Sequence, residues 1–206
     1  MPFLTGLKNT IFIWFLVLSA CGNKSKTTNS NQQDVAKAET ATFEKPVVVA
    51  ANRTAKYIPN LKGKAVGIVA NQTSVIFKNT GTTSNTNQIE YTHLVDSLLS
   101  LNIGIQKVFA PEHGFRGQAD AGEKVKNGVD TKTGLPLISL YGKNRKPKGT
   151  DLKGLDIMLF DIQDVGVRFY TYIATLQLVM EACAEHNIPV IVLDRPNPNA
   201  HYIDGP

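Results

Sequence analysis

Apolar residues gather along this chain in short unbroken runs separated by polar loops. The runs at 64–70 (KAVGIVA), 105–110, 155–160 and 189–193 are apolar almost throughout, as expected of strands buried on both faces. A weaker candidate strand is Leu137-Ile138-Ser139-Leu140-Tyr141. Between these runs the spacing becomes helical. Ile89, Leu94, Leu98 and Leu101 predict a helix over 88–101, closed by Asn102 and Gly104. Ile173, Leu176, Val179, Met180 and Cys183 predict another over 171–187. Residues 46–63 read as a lead-in with a turn near Pro59-Asn60. Residues 117–136 read as one long loop carrying Asp120, Glu123, Lys124, Lys126, Asp130 and Lys132, and loops of that length usually act as lids or binding loops. Strands alternating with helices imply parallel pairing with right-handed crossovers. The expected class is α/β, an open doubly wound parallel sheet with helices on both faces. There are no internal repeats.

The first 45 residues follow other rules. Residues 1–20 carry Lys8 and then the run Ile11-Phe12-Ile13-Trp14-Phe15-Leu16-Val17-Leu18. That run is too short for a permanent membrane span and reads as an export signal. It ends in Leu18-Ser19-Ala20-Cys21, which resembles the lipobox of bacterial lipoproteins. The resemblance implies cleavage before Cys21, lipid on its thiol and a protein on the periplasmic side of a bacterial membrane. Residues 21–45 are rich in Asn, Ser, Thr, Lys and Gln. They cannot bury enough apolar surface to offset their ordering entropy and read as a disordered tether. Residues 46–206 form the single expected domain.

Charge excludes little. There are 22 Lys and Arg against 17 Asp and Glu, a net +5. The basic residues are scattered, without interleaved aromatics, so a nucleic-acid face is not indicated. Two cysteines, Cys21 and Cys183, make neither a disulfide framework nor a zinc site. Residues 142–149 (GKNRKPKG) form a basic turn without phosphate-loop spacing.

The candidate chemistry lies at strand ends. One predicted strand ends in Asn71-Gln72 and the next in Pro111-Glu112-His113. The other two end in Asp161-Ile162-Gln163-Asp164 and Asp194-Arg195. In a parallel sheet these ends share one edge, where ligands of open α/β sheets bind. No G-x-G-x-x-G turn follows the first strand, so a dinucleotide is not expected, and no G-x-S-x-G elbow is present. Glu112, His113 and Asp161 offer metal-ligand types, but without H-x-H or H-x-x-x-H spacing. Glu112, the Asp161/Asp164 pair and Asp194 suit acid–base work on a polar neutral substrate. Phe169, Tyr170 and Tyr172 offer a platform for sugar faces, with at least one of them expected in the core.

Five blocks occur in order: 67–74 (GIVANQTS), 109–117 (FAPEHGFRG), 139–142 (SLYG), 161–172 (DIQDVGVRFYTY) and 193–198 (LDRPNP). From about residue 60 onward the chain resembles the exo-β-N-acetylmuramidase (NamZ-type) family of peptidoglycan hexosaminidases. The resemblance implies a glycoside hydrolase that releases terminal N-acetylmuramic acid from peptidoglycan fragments. It implies a Rossmann-like N-terminal domain and an active site in a cleft against a second α/β domain. It implies neither metal nor nucleotide. Glu112 matches the family's motif glutamate and is the expected general acid, with His113 and Asp161 as catalytic partners. Asn71, Arg116, Gln163, Asp164, Arg168, Tyr170, Tyr172, Asp194 and Arg195 match other motif positions and are expected to bind substrate. Arg116 and Arg168 are the candidate clamps for a lactyl carboxylate. The second catalytic group is left open between Asp161, Asp164, a tyrosine and the substrate's acetamido group. The chain ends at Asp204-Gly205-Pro206, where the family continues, so a truncated form is expected. The alternative is a non-catalytic muropeptide- or sugar-binding lipoprotein, and a third reading is a metal-dependent hydrolase.

Overall fold

A computed structural model describes residues 47–78, 90–117 and 127–204. The expected signal, tether and lipid-bearing Cys21 lie outside these residues, as do Asp120, Glu123, Lys124 and Lys126 of the predicted loop. Among the described residues no helix is long and apolar enough to cross a membrane.

The sheet has six strands. β1 (Val66–Ala70), β4 (Ile105–Ala110), β6 (Pro136–Ser139), β7 (Ile157–Asp161) and β8 (Val190–Val192) are joined by β5 (Gly128–Val129). The order is β5-β6-β4-β1-β7-β8. Every pairing from β6 to β8 is parallel, and β5 lies antiparallel on the edge. The α/β reading therefore holds, and the parallel strands carry their C-terminal ends to one edge.

Strand alternation divides the core between the two faces. On one face Val66, Ile68, Val108 and Leu159 pack with Tyr57 and Leu61 of α1 (Thr54–Leu61) and with Leu94, Val95 and Leu98 of α2 (Leu94–Ser100). On the other Val69, Phe109, Met158 and Phe160 pack with Leu152 of α3 (Gly149–Leu152) and with Val179, Ala182 and Cys183 of α4 (Tyr172–Glu185). Gly67 fits between these layers, because a Cβ there would lie 2.7 Å from Leu155 Cδ1.

Three local expectations are corrected. The turn at Pro59-Asn60 is the end of α1, which runs through Pro59. Tyr57 and Leu61, four apart on one face, are both buried, and the Tyr57 hydroxyl donates to Ala51 O at 2.8 Å. Tertiary burial there outweighs one lost backbone bond. The helix predicted over 88–101 begins only at Leu94. Tyr91–His93 is instead strand β3, paired antiparallel with β2 (Val75–Phe77). His93 ends the strand and caps α2, its Nδ1 accepting from Val95 N at 3.2 Å. The loop predicted over 117–136 contains β5 and a tight turn in which Gly134 N donates to Asp130 O at 2.8 Å.

Candidate functional site

The turn after β4 is built to present side chains. Pro111 ends the pairing. Gly114 N donates back to Pro111 O at 3.0 Å. His113, Gly114 and Gly117 all take left-handed backbone angles, with φ of 68°, 75° and 68°. For His113 that conformation is strained. Together they swing Glu112 and His113 off the sheet edge into a cavity of about 470 Å³. Gln72 and Thr73 from the β1 end, Gln163 and Val165 from the β7 end, and residues 169–172 complete the lining.

The aromatics form a graded wall. Phe169, Tyr170 and Tyr172 meet edge to face at 5.7 and 5.8 Å between centroids. Phe169 is 81% exposed at the rim, whereas Tyr172 is 8% exposed at the floor. Two hydroxyls attend Glu112. Thr171 Oγ1 lies 3.4 Å from Glu112 Oε2, and the negative charge of the Glu112 carboxylate nearby pushes the Tyr141 pKa up. Glu112 is the one carboxylate among the described residues of the lining.

Beneath the cavity lies a second, dry layer. Asp161 is the last residue of β7 and is fully buried. It faces Arg195, whose Nε and Nη2 reach its two carboxylate oxygens at 2.6 and 2.9 Å. Burial pushes the Asp161 carboxyl up, and the Arg195 guanidinium opposes it. Arg195 Nη2 also donates to Val75 O at 2.8 Å, tying β2 to the sheet. Ser74 Oγ donates to the Asp161 carbonyl and accepts from Asn71 N. Asn71 Oδ1 in turn accepts from Thr73 N and Thr73 Oγ1 at 2.9 and 2.6 Å. Thr73 Oγ1 accepts from Gln163 N at 3.1 Å. The turn that presents Gln72 and Thr73 is thus bolted to the ends of β1 and β7.

The expected site residues therefore separate. Glu112, His113, Gln163, Tyr170 and Tyr172 line the cavity together. Asn71, Asp161 and Arg195 sit below it and face one another's neighbourhood, not the cavity. Arg116 lies elsewhere. It forks onto Asp130 at 2.7 and 2.8 Å and onto Asp96 at 3.0 Å, with its guanidinium 4.5 Å over the Phe115 ring. Its donors are directed at two carboxylates outside the cavity, where it acts as a brace between Asp96 and Asp130. Arg168 lines a neighbouring groove with Phe169, Asn197 and Tyr202. Asp164 accepts from Gly166 N at 3.2 Å, and the exposed Asp194 contributes its carbonyl to Ala50 N; neither lines the cavity. Asp161 is committed to Arg195, and among the described residues no cluster of three His, Cys, Asp or Glu is placed to hold a metal. The residues missed were Tyr141, Thr171, Gln72 and Thr73. Tyr141 follows β6, a fifth parallel strand ending on the same edge, and its strand position was the available signal.

Comparison with known proteins decides the family. A family model described as "Exo-beta-N-acetylmuramidase NamZ, N-terminal" matches residues 66–206. This chain belongs to the NamZ family. The peptidoglycan β-N-acetylmuramidase NamZ of Bacillus subtilis strain 168 is 47% identical over 152 residues, covering 73% of this chain and 34% of that protein. Two crystal structures of DUF1343-family proteins from Bacteroides fragilis share the fold. One has a TM-score of 0.60 at 41% identity, covering 79% of this chain and 38% of that one. The other has 0.59 at 39%, covering 73% and 35%. The chain thus spans about a third of the length of these NamZ relatives.

Proposed function

We propose that this chain supplies the Glu112 cavity of a glycoside hydrolase that releases terminal N-acetylmuramic acid from peptidoglycan fragments. The observation that carries the reading is one lining carboxylate, met by the Thr171 hydroxyl, in a cavity shared with an aromatic wall at a parallel-sheet edge, in a NamZ-family chain. Glu112 protonates the glycosidic oxygen as the bond to the anomeric carbon breaks. His113 lies beside it on the same strained turn. Phe169 and Tyr170 stack on the sugar face, and Gln163 and Thr73 present polar atoms to its hydroxyls. Two-carboxylate hydrolysis needs a second acid in reach. The route proposed is assistance by the substrate's own acetamido group, which needs no second carboxylate.

The test is turnover of a chromogenic N-acetylmuramic acid glycoside by the whole protein. Glu112→Gln is expected to lower kcat by about 10²-fold or more, the usual span for a lost general acid. Normal turnover by that variant sinks the assignment. We also propose that the protein is exported and lipid-anchored at Cys21, on the strength of the 1–21 pattern. Cys21→Ser is expected to move it from the detergent phase to the aqueous phase, and unchanged partition refutes the anchor.

A further inference from the structure

The stretch of cavity wall formed by Thr73 and Gln163 has one hydrogen-bonding sense. Both residues line the cavity. Gln163 Nε2 lies 2.6 Å from Asp164 O and 2.9 Å from Pro196 O. A backbone carbonyl only accepts, so the nitrogen must be the atom on that side, with both of its protons engaged. Any bond this side chain makes with a ligand is therefore one that Oε1 accepts. Thr73 is committed in the same way. Its backbone N–H donates to Asn71 Oδ1 at 2.9 Å, which identifies that atom as the oxygen. The Thr73 hydroxyl lies 2.6 Å from the same oxygen and so gives it its single proton. Thr73 Oγ1 also accepts from Gln163 N at 3.1 Å, which leaves it one lone pair. The Gln163 turn is clamped by the turn after β8. Asn199 Nδ2 donates to Val165 O at 2.8 Å, and a Cβ on Gly166 would lie 2.8 Å from Asn197 Cγ. Acceptors held in this way do not turn to suit a ligand.

We propose that Thr73 and Gln163 are specificity-determining residues, an acceptor-only wall that reads the free hydroxyl marking the non-reducing end of a glycan. The terminal sugar carries an O–H at the position where an internal sugar carries a glycosidic oxygen. The O–H supplies the proton that the wall lacks. The glycosidic oxygen has lone pairs only, so an internal sugar would set acceptors against acceptors and leave them unpaired. A site built to bond a hydroxyl rejects the analogue without it more strongly than an apolar pocket rejects a missing methylene. The same polarity turns a carboxylate away, so the lactyl group of the sugar points elsewhere. Glu112 shares the cavity, and the wall thereby sets which end of the chain is presented to it. The choice of a sugar rests on the reading above, whereas the polarity of the wall does not.

NMR on the full chain, labelled with ¹³C and ¹⁵N, separates the two. Without ligand, scalar couplings across the hydrogen bonds are expected from Gln163 Nε2 to the carbonyl carbons of Asp164 and Pro196. Their absence overturns the acceptor-only wall. Titration then compares N-acetylmuramic acid with its 4-deoxy analogue, which lacks the hydroxyl that ends a β-1,4-linked chain. Wild type is expected to bind the analogue roughly tenfold more weakly, the scale of one neutral hydrogen bond. The Gln163 Cδ resonance is expected to move with the parent sugar and to keep its free position with the analogue. In Gln163→Met the ratio between the two sugars is expected to fall to within about twofold, because protein and ligand changes remove the same bond. A purely structural role would weaken both sugars alike and keep the wild-type ratio, and that result overturns the reading of the hydroxyl. A wild-type ratio near unity, or a Cδ resonance that answers both sugars equally, overturns it without any variant having to fold. Wild-type protein that binds neither sugar overturns the sugar reading and the reading of the chain end with it, while the couplings still decide the polarity of the wall.

Discussion

Arg116 divides support from site, and Arg116→Met tests the division. The guanidinium joins Asp96 at the start of α2 to Asp130 in the turn before β6. Its hydrogen bonds, aided by Thr133, hold the Asp130 carboxyl down from the usual 3.8 to about 2. That depression corresponds to about 2.5 kcal/mol at full strength. Arg116 keeps 21% of its side chain in water, and Thr133 N and Oγ1 still bond Asp130 after the substitution. About 1–2 kcal/mol is therefore expected from the variant. The sign with pH follows from the depressed folded value. The contribution is full above the unfolded pKa near 4 and disappears as pH falls toward 2. Urea unfolding from pH 7 downward should show the variant less stable by this amount at neutral pH, with the gap closing between about pH 4 and 2. Its affinity for N-acetylmuramic acid should stay within about twofold of wild type, since Arg116 does not line the cavity. A variant of wild-type stability that loses sugar binding would refute the reasoning and return Arg116 to the site.

Other substitutions probe the remaining layers. Arg195→Met leaves the Asp161 carboxylate buried without its partner and should cost about 3–5 kcal/mol by chemical unfolding; Asp161→Leu added to it should recover at least half. Phe169→Ala removes a rim aromatic that is mostly in water, so it should leave thermal stability unchanged while weakening muramic-acid binding by roughly tenfold. Burial pushes the His93 pKa below 6.5, and its Nε2 lies 2.9 Å from Asn71 O. Because the folded value is depressed, its contribution is full above about pH 6.5 and falls as pH drops below it. His93→Asn, which keeps an acceptor for Val95 N, should flatten that part of the stability profile.

The fold was legible because burial on both faces writes itself into sequence. Val66–Ala70 and Ile157–Asp161 are buried at every position, so their apolar runs carry no polar face and fit neither a surface helix nor a loop. The β2–β3 pair was not legible. Each strand has three residues, Tyr91-Thr92-His93 is half-exposed, and the partners are separated by residues 78–90. Nothing periodic survives over three residues, and the neighbouring Leu94 and Leu98 extended a helical reading backward across the strand. α1 was hidden by Pro59, whose local signal is a turn. The cavity was legible as a strand-end cluster, but Tyr141 was passed over, since a tyrosine at the end of a weak candidate strand looks like ordinary core despite its place on the same edge.

Residue type alone did not separate the floor of the site from its working face, because each carries a carboxylate and an amide at strand ends: Asp161 and Asn71 below, Glu112 and Gln163 in the lining. Distance beyond the strand separates them better. Asp161 still belongs to β7, so its side chain is held in the sheet and must be paired there. Asn71 is one residue past β1 and is equally buried. Glu112 stands two residues past β4, after a proline and before three left-handed backbone positions, and only there does the chain leave the sheet. The buried pair is costly to assemble, and its return lies in geometry. Arg195 fixes Asp161 and Val75, Ser74 bridges Asp161 to Asn71, Asn71 fixes Thr73, and Thr73 fixes Gln163. A polar layer locked in this way holds the Thr73 and Gln163 walls in register with Glu112, which an apolar filling of the same volume could not orient.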